Sequence, residues 1–216
     1  MYKLINKGNK SAELMIYDMI GGWDGVTAKR VADDLRSIGR VDLINVRLNS
    51  FGGEVFEGYA IYNQLKRHPA RVEIDIDGAA CSIASIIACA GDTVRMARNA
   101  MYMIHDPSGV AMGNAADMRK TADLLDQVRE QLVDTYVKRT GLGPIAVSQY
   151  MTAETWFKAA DAAELGFVDQ VTDELQLAAS ADLSKFANVP AWARQRATAS
   201  ATERLDRINA RLARIR

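Results

Sequence analysis

Hydrophobic positions along this chain fall into alternating and helical rhythms that succeed one another. Glu13–Ile20 is apolar, with β-branched and aromatic content, and Gly21-Gly22 closes it as a strand. From Asp24 to Ile38 the spacing of Val26, Val31, Leu35 and Ile38 predicts a helix that Gly39 stops. Asp42–Leu48 alternates as a strand and runs into the turn Asn49-Ser50-Phe51-Gly52-Gly53. Glu54–Arg67 carries Val55, Tyr59, Ile61, Tyr62 and Leu65 at helical spacing, ended by Pro69. Arg71–Asp77 is a third alternating strand, and Gly78 leads into a helix of small residues through Cys89. Thr93–Ala97 and Met101–Ile104 are short strands. A long helix follows from about Asn114 to Arg139, striped by Met118, Leu125, Val128, Leu132 and Tyr136. After Pro144 come a short helix, the Trp156-Phe157 segment, a helix to Leu165 and a strand over Phe167–Val171.

Strand and helix alternating at this interval predict an α/β fold with right-handed crossovers. That pattern stops near residue 179. Residues 180–200 are rich in Ala, Ser and Thr around Pro190 and read as a linker. Thr202–Arg216 then places Leu205, Ile208, Leu212 and Ile215 at helical spacing among arginines. So short an amphipathic helix needs a partner for its stripe. The chain is therefore divided into a domain over 1–179 and a tail over 180–216.

Composition narrows the function classes. Formal net charge is zero, so nothing global selects nucleic acid or a membrane surface. The tail is an exception, with Lys185 and seven arginines against Asp182, Glu203 and Asp206. Cys81 and Cys89 are too few and too close for a disulfide framework, as expected of a reducing compartment. No run approaches the ~18 apolar residues of a membrane span, and the first residues lack the apolar centre of a secretion signal. These features set the expectation of a soluble cytoplasmic protein.

Three segments carry candidate chemistry. Gly52-Gly53, between a strand and a helix, lets backbone amides point outward with no Cβ in the way, as an oxyanion hole requires. Asp77-Gly78-Ala79-Ala80-Cys81-Ser82-Ile83-Ala84-Ser85 joins a strand to a helix through small residues, which can lift one hydroxyl to the mouth of a sheet beside the next residue's amide. Met101–Ile104 ends in His105, where a neutral imidazole can accept a hydroxyl proton. The other histidine, His68, sits at the basic end of a helix and reads as a solvated terminal residue. Each segment alone has a plain structural reading as a loop, a close-packed helix or a core histidine.

Their order gives them meaning. The Gly-Gly turn is followed by Gly-Ala-Ala-Cys-Ser, then Met-Ile-His-Asp-Pro, then Phe157 and the Ala-Ala-Glu-Leu-Gly-Phe-Val-Asp run at 162–169. Over roughly Glu13 to Thr172 the chain resembles the proteolytic subunit of Clp proteases, and among these its bacteriophage and prophage relatives. The resemblance implies a ClpP/crotonase-like fold of repeated β-β-α units with a long projecting helix. It implies a serine peptidase in which Ser82 is the nucleophile and His105 the general base. The amides of Gly52, Gly53 and Ile83 would form the oxyanion hole. Phe51 stands where the family usually has proline. The family's third member, an aspartate, falls at Thr155; a threonine dyad helper, Glu154, or Asp106 are the alternatives for orienting the imidazole. A Cys81 thiolate is the rival nucleophile.

The resemblance also implies a homo-oligomeric ring, single or stacked on a second ring, and a capsid or scaffold protein as substrate in head maturation. No Gly-x-x-x-x-Gly-Lys-Ser/Thr loop occurs, so ATP use would come from an ATPase partner; no cofactor or metal is expected. Two other classes stay open at this stage. One is a crotonase-type enzyme acting on a CoA thioester; the other is an inactive ring-forming assembly protein. A Ser–Lys hydrolase would need Lys66, Lys120 or Lys138 beside the serine.

Overall fold

The structure is a computed structural model that describes residues 1–7, 10–175 and 183–195. The expected helix over Thr202–Arg216 and parts of the expected linker lie outside these residues. Along the described residues up to 175 the elements follow in order: β1 Tyr2–Asn6, β2 Ser11–Ile16, α1 Ala28–Ser37, β3 Leu43–Ser50, α2 Val55–Arg67, β4 Arg71–Cys81, α3 Ile83–Ala88, β5 Thr93–Ala97, β6 Met101–Ile104, α4 Ala115–Thr140, α5 Pro144–Thr152, β7 Thr155–Lys158, α6 Ala159–Glu164 and β8 Gln170–Thr172.

The sheet runs β1-β2-β3-β4-β5-β8. β1 is antiparallel to β2, and the pairs from β2 through β8 are parallel. β4 is long enough to serve two neighbours. Glu73–Ile76 pairs with β5, while Ala79–Cys81 pairs with β6, which in turn pairs antiparallel with β7. The sheet therefore forks at Asp77-Gly78. A Cβ at Gly78 would lie 2.6 Å from Asn49 Oδ1, so a side chain there would have to displace the Asn49 amide.

Alternation explains the layers. β2 and β3 bury every second residue, including Leu14, Ile16, Ile44, Val46 and Leu48, against the helices. The opposite positions form a polar ladder across neighbouring strands. Arg95 pairs with Asp75 (2.6 Å) and Glu73 (2.8 Å), and Asn45 donates to Asp75 (2.7 Å). Arg47 pairs with the buried Asp77 at 2.6 Å, and Tyr17 donates to the same carboxylate. A buried carboxylate is tolerable only because both donors reach it.

Thr27 caps α1 through a bond from the Arg30 amide, which places the start of that helix at Ala28 rather than Asp24. α4 opens on a capping box between Asn114 and Asp117 and closes on Gly141 in the left-handed conformation. Its buried residues are Val128, Leu132, Val133 and Tyr136. No residue before Val128 is buried, and Met118 and Leu124 are exposed at 41% and 47%. The first half of the expected stripe thus projects from the body, over roughly 20 Å at 1.5 Å per residue.

Several expectations are corrected. β1 was not visible in the pattern. The helix expected from Gly78 begins only at Ile83, because Ala79, Ala80 and Cys81 continue β4 beside β6. The strand expected from Phe167 is confined to Gln170–Thr172, and Phe167 is a core residue with no exposed surface. His68 is not simply solvated: its Nδ1 accepts the Ala70 amide at 3.1 Å.

The stretch expected to be a linker is docked over residues 183–195. Phe186, Val189 and Ala193 are buried with Ala79, Cys81, Met101, Met103 and Trp156, on the face of the β4–β6–β7 fork away from the main core. Burying Phe186 and Val189 contributes roughly 1.5–3 kcal/mol each.

Candidate active site

β4 ends at Cys81, and the chain turns into α3 through Ser82. Ser82 has φ 55° and ψ −132°, one of two non-glycine residues with positive φ among those described. A conformation of this kind costs about 1–3 kcal/mol and persists only where its surroundings fix it. They do so on both sides. The Ser82 amide donates to Met103 O at 2.9 Å, tying it to β6. Its carbonyl accepts the Ser85 amide (2.9 Å) and the Ser85 hydroxyl (2.5 Å). Ser85 Oγ in turn lies 2.7 Å from the Tyr136 hydroxyl, and Tyr102 donates to Ser85 O at 2.9 Å.

β6 carries the histidine one residue past its end. His105 Nε2 lies 2.8 Å from Ser82 Oγ, a hydrogen-bonded pair. Burial lowers the imidazole's pKa from its ordinary value of 6.5. The carboxylates of Glu154 and Asp106 act against that shift, and Lys185 acts with it. The ring is therefore neutral at pH 7, the form able to take a proton from a hydroxyl.

The Gly52-Gly53 turn closes the third side. Ile20 brackets it, donating its amide to Gly52 O and accepting the Glu54 amide, both at 2.9 Å. Gly52 has φ +88°, and a Cβ there would sit 2.7 Å from Ser82 Cβ and 3.2 Å from Ile83 N. The turn and the start of α3 thus touch across the serine. The Gly52 amide donates to the Ser50 hydroxyl at 3.2 Å, while those of Gly53 and Ile83 make no hydrogen bond among the described residues. Two unused amides beside a hydroxyl can receive an oxygen that gains negative charge.

The candidates for orienting the imidazole are all occupied elsewhere. Thr155 donates its hydroxyl to Tyr150 O at 2.7 Å and makes no bond to the ring. Strand parity gives the reason. Thr155 pairs with Ile104, whose side chain belongs to the main core, so the two face away from the histidine's side of the ladder. Asp106 is held by Arg129 (2.7 Å) and the Thr152 hydroxyl (2.9 Å). Glu154, at φ 48°, accepts the amides of Ala187 and Asn188 at 3.0 and 2.7 Å. No group among the described residues hydrogen-bonds His105 Nδ1.

Cys81 is fully buried, and desolvation raises its thiol pKa well above the usual range, so it is no thiolate. Ser85, Tyr102 and Tyr136 were missed by the sequence reading. Ser85 lies three residues beyond Ser82, the spacing of one helical turn, which is a signal; nothing local links Tyr102 and Tyr136 to it.

Comparison with known proteins agrees with the geometry. The family model for Clp protease matches residues 34–175. The chain is 35% identical to the ATP-dependent Clp protease proteolytic subunit 1 of Protochlamydia amoebophila, over 60% of this chain and 65% of that subunit. It is 32% identical to the proteolytic subunit 3 of Streptomyces coelicolor, over 70% of this chain and 72% of that one. The fold matches a solved ClpP1 variant from Listeria monocytogenes with a TM-score of 0.67 at 23% identity, covering 75% of this chain and 91% of that one.

Proposed function

This chain belongs to the Clp protease family, and on that footing we propose that it is a serine endopeptidase with Ser82 as nucleophile. The observation that carries the reading is the 2.8 Å contact between Ser82 Oγ and His105 Nε2, with a strained backbone at the serine and free amides beside it. In the first step Ser82 Oγ bonds to the carbonyl carbon of the scissile peptide while its proton passes to Nε2. The carbonyl oxygen becomes an oxyanion held by the Gly53 and Ile83 amides, with Gly52 shaping the turn. Collapse breaks the C–N bond, and the imidazolium gives its proton to the leaving amine. Water, deprotonated by the neutral imidazole, then adds to the acyl carbon; the bond to Ser82 Oγ breaks and the imidazolium returns its proton to that oxygen.

Assembly and substrate belong to the same proposal. The relatives are named as proteolytic subunits of ATP-dependent proteases. The projecting half of α4 offers a surface through which copies of this chain could join as a ring or stacked rings. The substrate is an unfolded or threaded polypeptide, with capsid or scaffold proteins of a phage or prophage as the particular class. An ATPase partner would supply any ATP-driven threading.

A fluorophosphonate probe tests the chemistry. Wild-type protein is expected to take up the label at Ser82 and Ser82→Ala none. Labelling that survives Ser82→Ala would remove the serine assignment. Incubation with scaffold protein and mass spectrometry of the fragments tests the substrate class, which fails if the scaffold stays intact while short peptides are cut.

A further inference from the structure

The face of the site beside the imidazole already holds part of this chain. Phe186 packs edge-on against His105, with centroids 5.9 Å apart, and against Trp156 at 5.2 Å. Phe186 is only 7% exposed, and Ala193 has no accessible surface. The segment is pinned next to the ring by Glu154. Its carboxylate accepts the Asn188 amide at 2.7 Å, the Ala187 amide at 3.0 Å and the Trp156 indole at 3.3 Å. Asn188 Nδ2 adds a bond to Ala153 O at 3.1 Å.

Glu154 is also the carboxylate best placed to serve the imidazole. The antiparallel register pairs Met103 with Trp156 and Ile104 with Thr155, so the next step along the ladder sets His105 opposite Glu154. Met103 and Trp156 share the cluster that Phe186 joins, which puts Glu154 and His105 on one face. Its left-handed backbone, φ 48°, is, beside that of Ser82, the second strained non-glycine conformation among the described residues. Thr155 and Asp106 have other partners, and His105 Nδ1 has none among the described residues.

We propose that Glu154 is a positioning residue for His105, and that the docked segment 183–195 withholds it by occupying its carboxylate oxygens with two backbone amides. The proposal rests on the Ser82–His105 reading above. When the segment lifts, those oxygens turn to Nδ1, fix the ring and stabilise the imidazolium formed on proton transfer. The charged groups around the ring are Glu154, Asp106 with its partner Arg129, and Lys185. Lys185 leaves with the segment, so both changes raise the basicity of the imidazole. The same movement uncovers the apolar face lined by Met101, Met103 and Trp156 to a substrate chain.

The test uses the full chain. Phe186→Ser with Val189→Ser, and separately Ala193→Asp, remove the apolar anchors of the segment. Hydrogen exchange at the Ala187 and Asn188 amides reads whether it is docked. The expected result is protection in wild type and its loss in the released variants. Release should speed fluorophosphonate labelling of Ser82 about tenfold at neutral pH and move the pH midpoint of labelling upward by about one pH unit. Adding Glu154→Gln to a released variant should abolish the gain and return the midpoint to lower pH, while Glu154→Asp should keep part of it. Unprotected amides in wild type, released variants labelled at the wild-type rate, or a gain that survives Glu154→Gln would each overturn the proposal. Absence of Ser82 labelling in every variant, wild type included, would instead strike the peptidase reading itself.

Discussion

Replacing Gly52 by alanine puts the oxyanion-hole argument at risk most directly. At φ +88° an L-residue is strained by about 1–2 kcal/mol. The new Cβ would also lie 2.7 Å from Ser82 Cβ, 2.8 Å from Cys81 O and 3.2 Å from Ile83 N. Carbon atoms rest about 3.5–4.0 Å apart, so the turn must open by roughly 1 Å. The neighbours cannot give way, since two are backbone atoms at the end of β4 and the start of α3, and the Ser82 amide is tied to β6. Strain and crowding together should destabilise the fold by about 2–5 kcal/mol. A displacement of this size at reacting groups costs about a hundredfold in rate. Urea unfolding measures the first quantity; fluorophosphonate labelling and kcat/KM for a peptide measure the second. Gly39→Ala is the control. It has φ +66° and nothing within 4 Å of the added Cβ, so it should carry only the conformational cost and label at the wild-type rate. If folded Gly52→Ala labels and cleaves within about threefold of wild type, the turn does not hold the oxyanion, because losing one donor costs about 10²–10³-fold.

Burial lowers the His105 pKa, so Ser82 labelling should rise with pH and be half-maximal below pH 6.5; a midpoint clearly above 7 would contradict the buried, neutral ring. The folded chain binds this proton less readily than the unfolded one, so His105's contribution to stability should fall as pH drops from about 6.5 toward the lowered folded-state value. Thr155→Val should cost about 1 kcal/mol in urea unfolding, for the lost bond to Tyr150 O, and leave the labelling rate unchanged; a large fall would return Thr155 to the site. Cys81→Ala should keep full labelling, and iodoacetamide should leave Cys81 unmodified in the native protein. Rapid alkylation there would mean that β4 does not bury it.

The strand and helix alternation was legible because it rests on signals a short window contains, whereas the meeting of Ser82 with His105 was implied only by the family resemblance. The Gly-Gly turn, the small residues around Ser82 and the histidine after an apolar strand each have a local pattern, and their order adds the link. What stayed hidden depends on pairing. Ala79, Ala80 and Cys81 suit a helix as well as a strand, and only the presence of β6 alongside decides for β4. Thr155 occupies the right place in the motif, yet a β6–β7 register known only from the fold turns it toward the main core and leaves Glu154 level with the histidine. The Ala-, Ser- and Thr-rich composition around Pro190 concealed Phe186, Val189 and Ala193, whose side chains fill one apolar face.

The serine and the histidine owe their distance to a single strand. β6 receives the Ser82 amide at Met103 O and carries His105 two residues later, so one rigid ladder fixes both ends of the reacting pair. A loop-borne histidine would wander over the distance that separates a productive contact from none. The remaining freedom at Ser82, rotation about its strained backbone, is removed from the other side by Ser85, which is itself held by Tyr136 of α4 and Tyr102 of β6. Strain at the serine is therefore opposed by bonds from three separate elements. Among the described residues, by contrast, no such clamp holds the imidazole ring at Nδ1. That contrast locates the adjustable part of the site at Glu154 and the segment bound to it, while the Ser82–His105 contact itself is set by the sheet.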